Sequence, residues 1–517
     1  MTKTALAAGV ENDFHLHRVK IVFALRMKLI LIMISLAAVG LRLWGLDAAL
    51  WYDEAFSAWL AQLPPERILE ATLGDVHPPA YYLLLWAVND LLGHSEAVLR
   101  LPSVLAGLAL VYLVAKIGLA LGLGQKAVWL ATCITAFSPF QIYYSQEARV
   151  YSLLSLAVAG AALGLIERRG WLATTGALAA LYLHHLAGVF LVGLWLAAFV
   201  TELPDHSCDR PGRSRFLAWT GLAVAIGFLP GLGWLLLQLR SVGGGYWIPV
   251  ISSPGRLLAT VDDLLWFYPH NPFVFATAVI TALGLAWIGW GRGRLDRFLL
   301  TAALAPLLLI TTISLVWQPI LISRVMAPMA PFYYLLLGRS VTLTRRRLVL
   351  WLVLALPTAG LILAGPLVGI GRDPVQRDLI ELYGQYRPGD AMYHANVGSY
   401  VVWRYYRPDI PQFLWPQQTS LSQTLTRKTR LAMGMKEMDF DFIHCITLVE
   451  EPETRTVTRW WLIYFHNPVT QPAEIAYVEH LVNDYPSKKI KRLRVDSTVE
   501  AWLVLIEPDC SASAGRY

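Results

Sequence analysis

Ala97–Ala120 reads AVLRLPSVLAGLALVYLVAKIGLA, with Arg100 and Lys116 near its two ends as the only charges. A helix of about 20 apolar residues spans the hydrocarbon core of a bilayer, so this run reads as a membrane span. Runs of the same kind recur over the first 370 residues and then stop. They lie near 28–46, 97–120, 127–142, 150–166, 171–184, 186–201, 216–238, 272–290, 298–317, 321–338 and 348–369. That gives about eleven transmembrane helices, within a range of eleven to thirteen. The segment His77–Gly93 is shorter, opens on Pro78-Pro79 and contains Asn89 and Asp90. It reads as a helix lying along the interface, with a re-entrant or twelfth span as the alternative. The first span is too long for the apolar core of a cleaved signal and has no A-x-A-like exit.

Composition agrees. The 517 residues are 56% hydrophobic and 15% charged, against roughly a quarter charged in soluble domains. This excludes a disordered chain or a small disulfide scaffold. The four cysteines (Cys133, Cys208, Cys445, Cys510) show no CxxC spacing, which argues against a zinc site. The net charge of +7 could suggest a nucleic-acid partner. Alternate loops give a different account. One set, from Lys3 to Arg347, holds 19 Lys and Arg, and the opposite set holds seven (Arg42, Arg67, Arg100, Arg149, Arg240, Arg256, Arg324). The bias places the N-terminus in the cytoplasm, and no nucleic-acid surface is needed to explain it.

The expected organisation is a cytoplasmic tail over 1–27, a transmembrane module over 28–370 with its first outer loop at 47–96, and a soluble extracytoplasmic domain over 371–517. In that last part Trp460–Tyr464 and Ala501–Ile506 read as buried strands. Val375–Tyr386 and Ala473–Tyr485 read as amphipathic helices, so a small α/β domain fits. Cys445 and Cys510 would share an oxidising compartment, which allows a disulfide.

Polar residues of chemical interest gather on the outer face. The first loop carries Trp51-Tyr52-Asp53-Glu54, then Asp75, His77, Tyr81 and Tyr82. The two acids either serve as base or merely begin an interfacial helix, where acids suit the N-terminus. The second loop holds Tyr143, Tyr144, Glu147, Arg149 and Tyr151; Glu147 and Arg149 could be a local ion pair of little worth. His184-His185 could bind metal or substrate, or simply end two spans. The loop over 239–271 contains Gly243-Gly244-Gly245, a linker or a segment that orders over a ligand, with Asp262-Asp263 and His270. Arg324 enters an apolar run, where an arginine must find a partner, bind an anion or snorkel to the interface. Acids, arginines, histidines and aromatics thus converge on one membrane face, as suits an anionic lipid substrate.

At these residues the sequence resembles the polytopic GT-C glycosyltransferases, nearest to family 39, the bacterial relatives of protein O-mannosyltransferases and lipid A aminoarabinose transferases. The matching stretches are Leu50–Ala55, His77–Tyr82, Ser95–Ser103, Tyr144–Tyr151 and Ser323–Pro328. The resemblance covers roughly residues 28–340. It implies transfer of a sugar from a polyprenyl-phosphate carrier to a lipid, glycan or protein acceptor on the outer face of the plasma (inner) membrane, usually with inversion. It implies Asp53 or Glu54 as the catalytic base, and Arg100, Arg149 and Arg324 at the donor phosphate. Glu147, His77, Tyr81, Tyr82, Tyr144, Tyr151, His184 and His185 would line the substrate. Some relatives use a divalent cation such as Mg or Mn, for which Asp53 and Glu147 are the candidate ligands. No nucleotide motif is expected. The competing classes are a flippase or transporter for lipid-linked sugars, which would place polar groups at mid-membrane, a ligase using a diphosphate carrier, and a non-enzymatic membrane anchor.

Overall fold

The computed structural model describes residues 32–201, 212–241, 293–343, 387, 389–394, 397–414 and 433, and the strands at 446–450, 453–457, 459–466, 487–494 and 500–506. The expected spans at 272–290 and 348–369, the tail helices, Cys445, Cys510 and the Gly243–Gly245 and Asp262-Asp263 segments lie outside the described residues.

The chain enters through α1 (Ile32–Leu43). The first outer loop folds into α2 (Tyr52–Leu60), α3 (Pro65–Thr72) and α4 (Ala80–Leu92). Each start has a local cause. Pro65 sits at the first position of α3, and Pro79 precedes α4, where a missing N–H costs nothing. The His77–Gly93 segment is therefore a 13-residue helix, about 20 Å long and too short to cross alone. Gly93 ends it with φ of 93°, a left-handed turn that glycine adopts without strain.

The decisive run is α5 (Glu96–Ala120), capped by Ser95, whose hydroxyl accepts the Val98 N–H at 3.3 Å. It packs on α6 (Gln125–Phe137), α7 (Pro139–Ser145) and α8 (Tyr151–Ile166). The module continues with α9 (Gly170–Leu183), α10 (Ala187–Val200), α11 (Arg213–Gly227), α12 (Leu229–Ser241), α13 (Arg294–Val316), a 3₁₀ turn (Ser323–Met329) and α14 (Ala330–Leu343). By length and composition α5 and α13 are each able to cross a membrane, as is the pair α11–α12 taken together.

Three expected spans are not single helices. The 127–142 run breaks at Ser138-Pro139 into α6 and α7. Proline has no N–H and blocks the helix behind it, so carbonyls near the end of α6 lose partners. Arg42, fully buried, supplies them: it donates to Thr135 O at 3.2 Å and to Ala136 O at 2.8 Å. The 216–238 run bends by 55° between α11 and α12, and Tyr182 Oη donates to the Gly227 carbonyl at the bend, at 2.9 Å. The 321–338 run is a 3₁₀ turn followed by α14, with Pro328 inside the turn.

The C-terminal region forms β1 (Asp390–His394), α15 (Val397–Tyr406), β2 (Gln412–Leu414), β3 (Ile446–Glu450), β4 (Glu453–Val457), β5 (Arg459–His466), β6 (Ser487–Arg494) and β7 (Glu500–Ile506). Five strands make one mixed sheet in the order β2-β1-β5-β7-β6, and β3–β4 is a separate hairpin pair. The two runs expected as strands fall in β5 and β7, which pair antiparallel with Trp461 opposite Leu505. This domain packs on the first outer loop. Tyr400 of α15 stacks on Trp59 at 6.0 Å, and Tyr406 Oη accepts the Leu50 N–H at 2.7 Å while donating to Glu96 at 3.1 Å.

Small residues let the helices approach closely. A Cβ on Gly107 of α5 would lie 2.0 Å from Ser145 Oγ and 3.3 Å from Arg42 Nε. Gly107→Val should therefore force α5 from α7 and cost about 1–3 kcal/mol, read as a lower melting temperature in detergent; an unchanged melt would contradict this packing.

Candidate functional site

Asp53 and Glu54 both lie in the first turn of α2, yet successive helical residues point about 100° apart. Glu54 turns inward and is fully buried. Its two oxygens accept from Arg100 Nε at 2.9 Å and Nη2 at 2.7 Å, and Oε1 also accepts the Ala148 N–H at 2.7 Å. Arg100, equally buried, uses its other hydrogens on the carbonyls of Leu46, Ala48 and Ala49. Both groups are thus inside the core and bonded to the chain, not presented to a substrate. The pair fastens α5, the entry to α2 and the second outer loop together.

Asp53 turns outward, toward arginines from distant parts of the chain. Arg324, at the start of the 3₁₀ turn, reaches Asp53 Oδ2 at 2.6 Å, with its guanidinium 5.8 Å from the centre of the Trp51 ring. Arg324 therefore neither snorkels nor stands alone. Arg149 lies 4.0 Å from the same carboxylate and donates to the Asp53 carbonyl at 3.3 Å and to Ser57 Oγ at 3.2 Å. Its own carbonyl accepts from Ser103 at 3.0 Å. The Arg149 Nε is buried and has no hydrogen-bond partner among the described residues. Glu147 is buried, and its carbonyl accepts the Arg149 N–H at 2.7 Å.

The His77 turn closes the other side. Asp75 Oδ2 lies 3.3 Å from His77 Nδ1, and it accepts from Tyr82 Oη at 3.1 Å. His77 Nε2 faces Arg149 Nη2 at 3.4 Å. Arginine only donates, so Nε2 accepts and Nδ1 carries the hydrogen toward Asp75. His184 places its ring edge on His77, centroids 5.2 Å apart, and Tyr151 lies 6.5 Å from His184. Tyr81, Tyr82, Tyr144 and Tyr151 are all buried around this cluster, and Tyr144 meets Tyr151 edge to face at 5.4 Å.

The electrostatics follow from this crowding. Burial alone would raise the Asp53 carboxyl, but Arg324, Arg149 and His77 outweigh it and hold the group below the ordinary carboxylate range. Asp75 is likewise held low, against burial, by His77 and the Val76 N–H. Among the described residues no three His, Cys, Asp or Glu side chains converge to hold a metal ion, and the Asp53 carboxylate is faced by two guanidinium groups.

Of the residues expected from sequence, the structure brings together Asp53, Arg149, Arg324, His77, Tyr82, Tyr151 and His184. It sets Glu54 and Arg100 apart as a buried clamp. The sequence marks Asp75 as a polar residue of interest without giving it a role, and does not single out Gln238. The Asp75-x-His77 spacing was the available signal for the first, and one amide in the apolar run LPGLGWLLLQLRS (Leu229–Ser241) for the second.

This architecture is that of a helical membrane protein carrying an α/β tail domain. Its fold is shared with ArnT from Cupriavidus metallidurans, which bears out the GT-C fold implied by the sequence resemblance. The apo crystal structure of ArnT matches with a TM-score of 0.60 at 12% identity, covering 92% of this chain and 98% of that one. The structure of ArnT bound to undecaprenyl phosphate matches with a TM-score of 0.56, also at 12% identity, covering 92% and 97%. No family model matches the sequence, and no curated protein matches it.

Asp53 is ionised above its depressed folded value, so its pairing stabilises the fold fully above the unfolded value of about 3.9. That contribution is lost as pH falls through the folded value. Asp53→Asn removes the carboxylate shared by buried Arg149 and part-buried Arg324 and should cost about 3 kcal/mol, a difference constant between pH 5 and 8 that shrinks only below about pH 4. Melting curves of both proteins against pH check it; a difference already fading near pH 6 would contradict the assignment.

Proposed function

We propose that the protein is a membrane glycosyltransferase that moves a sugar from a polyprenyl-phosphate carrier to a hydroxyl of a lipid, glycan or protein acceptor. One observation carries this reading. Two arginines remote in sequence, Arg149 and Arg324, converge on the single carboxylate of Asp53, and one keeps a buried, unused N–H. That arrangement suits a phosphodiester that becomes a dianionic phosphate as the sugar leaves, with oxygens that accept in the plane of a guanidinium. The reading draws support from the shared fold with ArnT, which binds undecaprenyl phosphate in one of its structures. With the N-terminus cytoplasmic, as the basic-loop bias argues, the site and the tail domain face the outside of the cytoplasmic membrane.

The steps follow from the geometry. The donor phosphate enters between Arg149 and Arg324 and draws both from Asp53. A carboxylate resting on two arginines is a weak base. Once they turn to the phosphate, Asp53 regains basicity and accepts the proton of the acceptor hydroxyl. The acceptor oxygen forms a bond to the anomeric carbon as the bond from that carbon to the phosphate oxygen breaks. The electron pair leaves on the phosphate, where the arginines stabilise it. In-line displacement of this kind inverts the anomeric centre. Glu54 takes no part in these steps, because its oxygens are held by Arg100 and the Ala148 N–H.

The test is incubation of the purified enzyme with a panel of polyprenyl-phosphate sugars, followed by mass analysis of what gains the sugar. Asp53→Asn should abolish transfer, and Arg149→Ala or Arg324→Ala should each lower kcat/KM by about 100- to 1000-fold. Absence of transfer from every donor, or wild-type turnover in the Asp53 variant, would overturn the reading.

A further inference from the structure

The α12 helix presents apolar side chains outward: Leu232, Leu236, Leu237 and Leu239 are all exposed among the described residues. Its buried position near the outer end is the amide of Gln238, at 2% exposure. In an apolar helix a buried amide must find partners or lose free energy. Gln238 finds four. Its Nε2 faces the carbonyls of Thr72 at 2.6 Å, Asp75 at 3.0 Å and His77 at 2.9 Å, which share its two N–H hydrogens. Three carbonyls around one nitrogen leave no doubt which end of the amide is NH₂, so Oε1 is the acceptor. The ring Nε2 of His185 faces that oxygen at 2.5 Å and therefore donates to it.

These bonds fix a turn that sequence alone does not order. Residues 73–79 carry no helix of their own between α3 and α4. The carbonyls that Gln238 holds belong to Asp75 and His77, whose side chains meet each other at 3.3 Å. His77 then meets Arg149 at 3.4 Å. A continuous chain of contacts thus runs from His185 through Gln238 and the His77 turn to Arg149. It also accounts for the two adjacent histidines. His184 lies against the His77 ring while accepting the Leu186 N–H through Nδ1 at 3.1 Å, and His185 holds the Gln238 amide. Both support the turn rather than offering themselves to a ligand.

We infer that Gln238, held by His185, is a positioning residue of the phosphate site: it sets the Asp75–His77 turn and, through His77, the orientation of the Arg149 guanidinium. The inference rests on the reading of Arg149 as a phosphate ligand given above. It differs from general support of the fold because its effect passes through one imidazole, and that route is measurable.

The experiment uses the full-length protein in lipid nanodiscs with undecaprenyl phosphate as probe, and reads its dissociation constant alongside the melting temperature. Gln238→Glu keeps the shape but cannot donate to the three carbonyls; Gln238→Met removes the same bonds without adding charge and serves where the glutamate variant fails to fold. Either should lower the melting temperature by a few degrees and, measured well below that temperature, weaken binding about tenfold. His77→Asn should weaken binding by a similar factor, and the double variant no further, because both changes remove the same support. Unchanged binding in the Gln238 variants overturns the inference, as does a double variant whose loss is the product of the two single losses. A wild-type protein that does not bind undecaprenyl phosphate overturns the phosphate reading and this inference with it, so the two failures are told apart by the wild-type measurement.

Discussion

The ion pair of Glu54 with Arg100 holds the segments around α2 and α5 in register. Both side chains are excluded from solvent, where an isolated charge is prohibitively costly and a pair is tolerated only if its remaining hydrogens and lone pairs are used. They are: the guanidinium also serves three carbonyls between Leu46 and Ala49, and the carboxylate also takes the Ala148 N–H. One pair therefore connects the exit of α1, the start of α2, the first third of α5 and the second outer loop. Asp53 is one residue from this clamp and Arg149 is one residue from Ala148. The relative position of the carboxylate and the guanidinium that make up the site is inherited from a contact that neither of them forms.

The site shows what such rigidity permits. Two arginines close to one aspartate would repel each other if the carboxylate were absent, and the carboxylate would be a poor base if it stayed paired. The arrangement is stable only with an anion between the cations. Asp53 fills that place in the structure. The Arg149 Nε, buried and unused, is a donor that the aspartate does not reach.

Much of this was legible in the sequence, and what was not has physical causes. The α5 run was read as 97–120 and is 96–120, because a long apolar stretch with a serine cap admits one solution. The breaks within 127–142 and 216–238 were passed over because hydropathy is blind to direction: apolar residues continue across a bend, and only Pro139 marked the first of them. Asp53, Arg149, His77 and Arg324 stand out in sequence because charges beside apolar runs need a reason to be there, and the structure brings them together. Glu54 and Arg100 stand out for the same reason and are paired with each other in the core. Two adjacent acids look alike in a sequence, whereas the helix turns one to the core and the other to the site. Partners 46 and 271 residues away leave no periodic trace.

The tail domain enters the same argument through Tyr406. Its hydroxyl lies between the Leu50 N–H and the Glu96 carboxylate, two points that flank the Glu54–Arg100 clamp: Leu50 precedes α2 and Glu96 opens α5. Trp59, at the far end of α2, is covered by Tyr400 from the same short helix. The α2 helix is nine residues long, too short to be stable in isolation, so its shape comes from what packs on it. The clamp fixes its first turn from below and α15 covers it from the side of the tail. A short helix that must hold Asp53 to within a fraction of an ångström is thereby restrained by the membrane module and the tail domain at once. The domain beyond residue 387 is in this sense a structural wall of the site, whatever else it contacts.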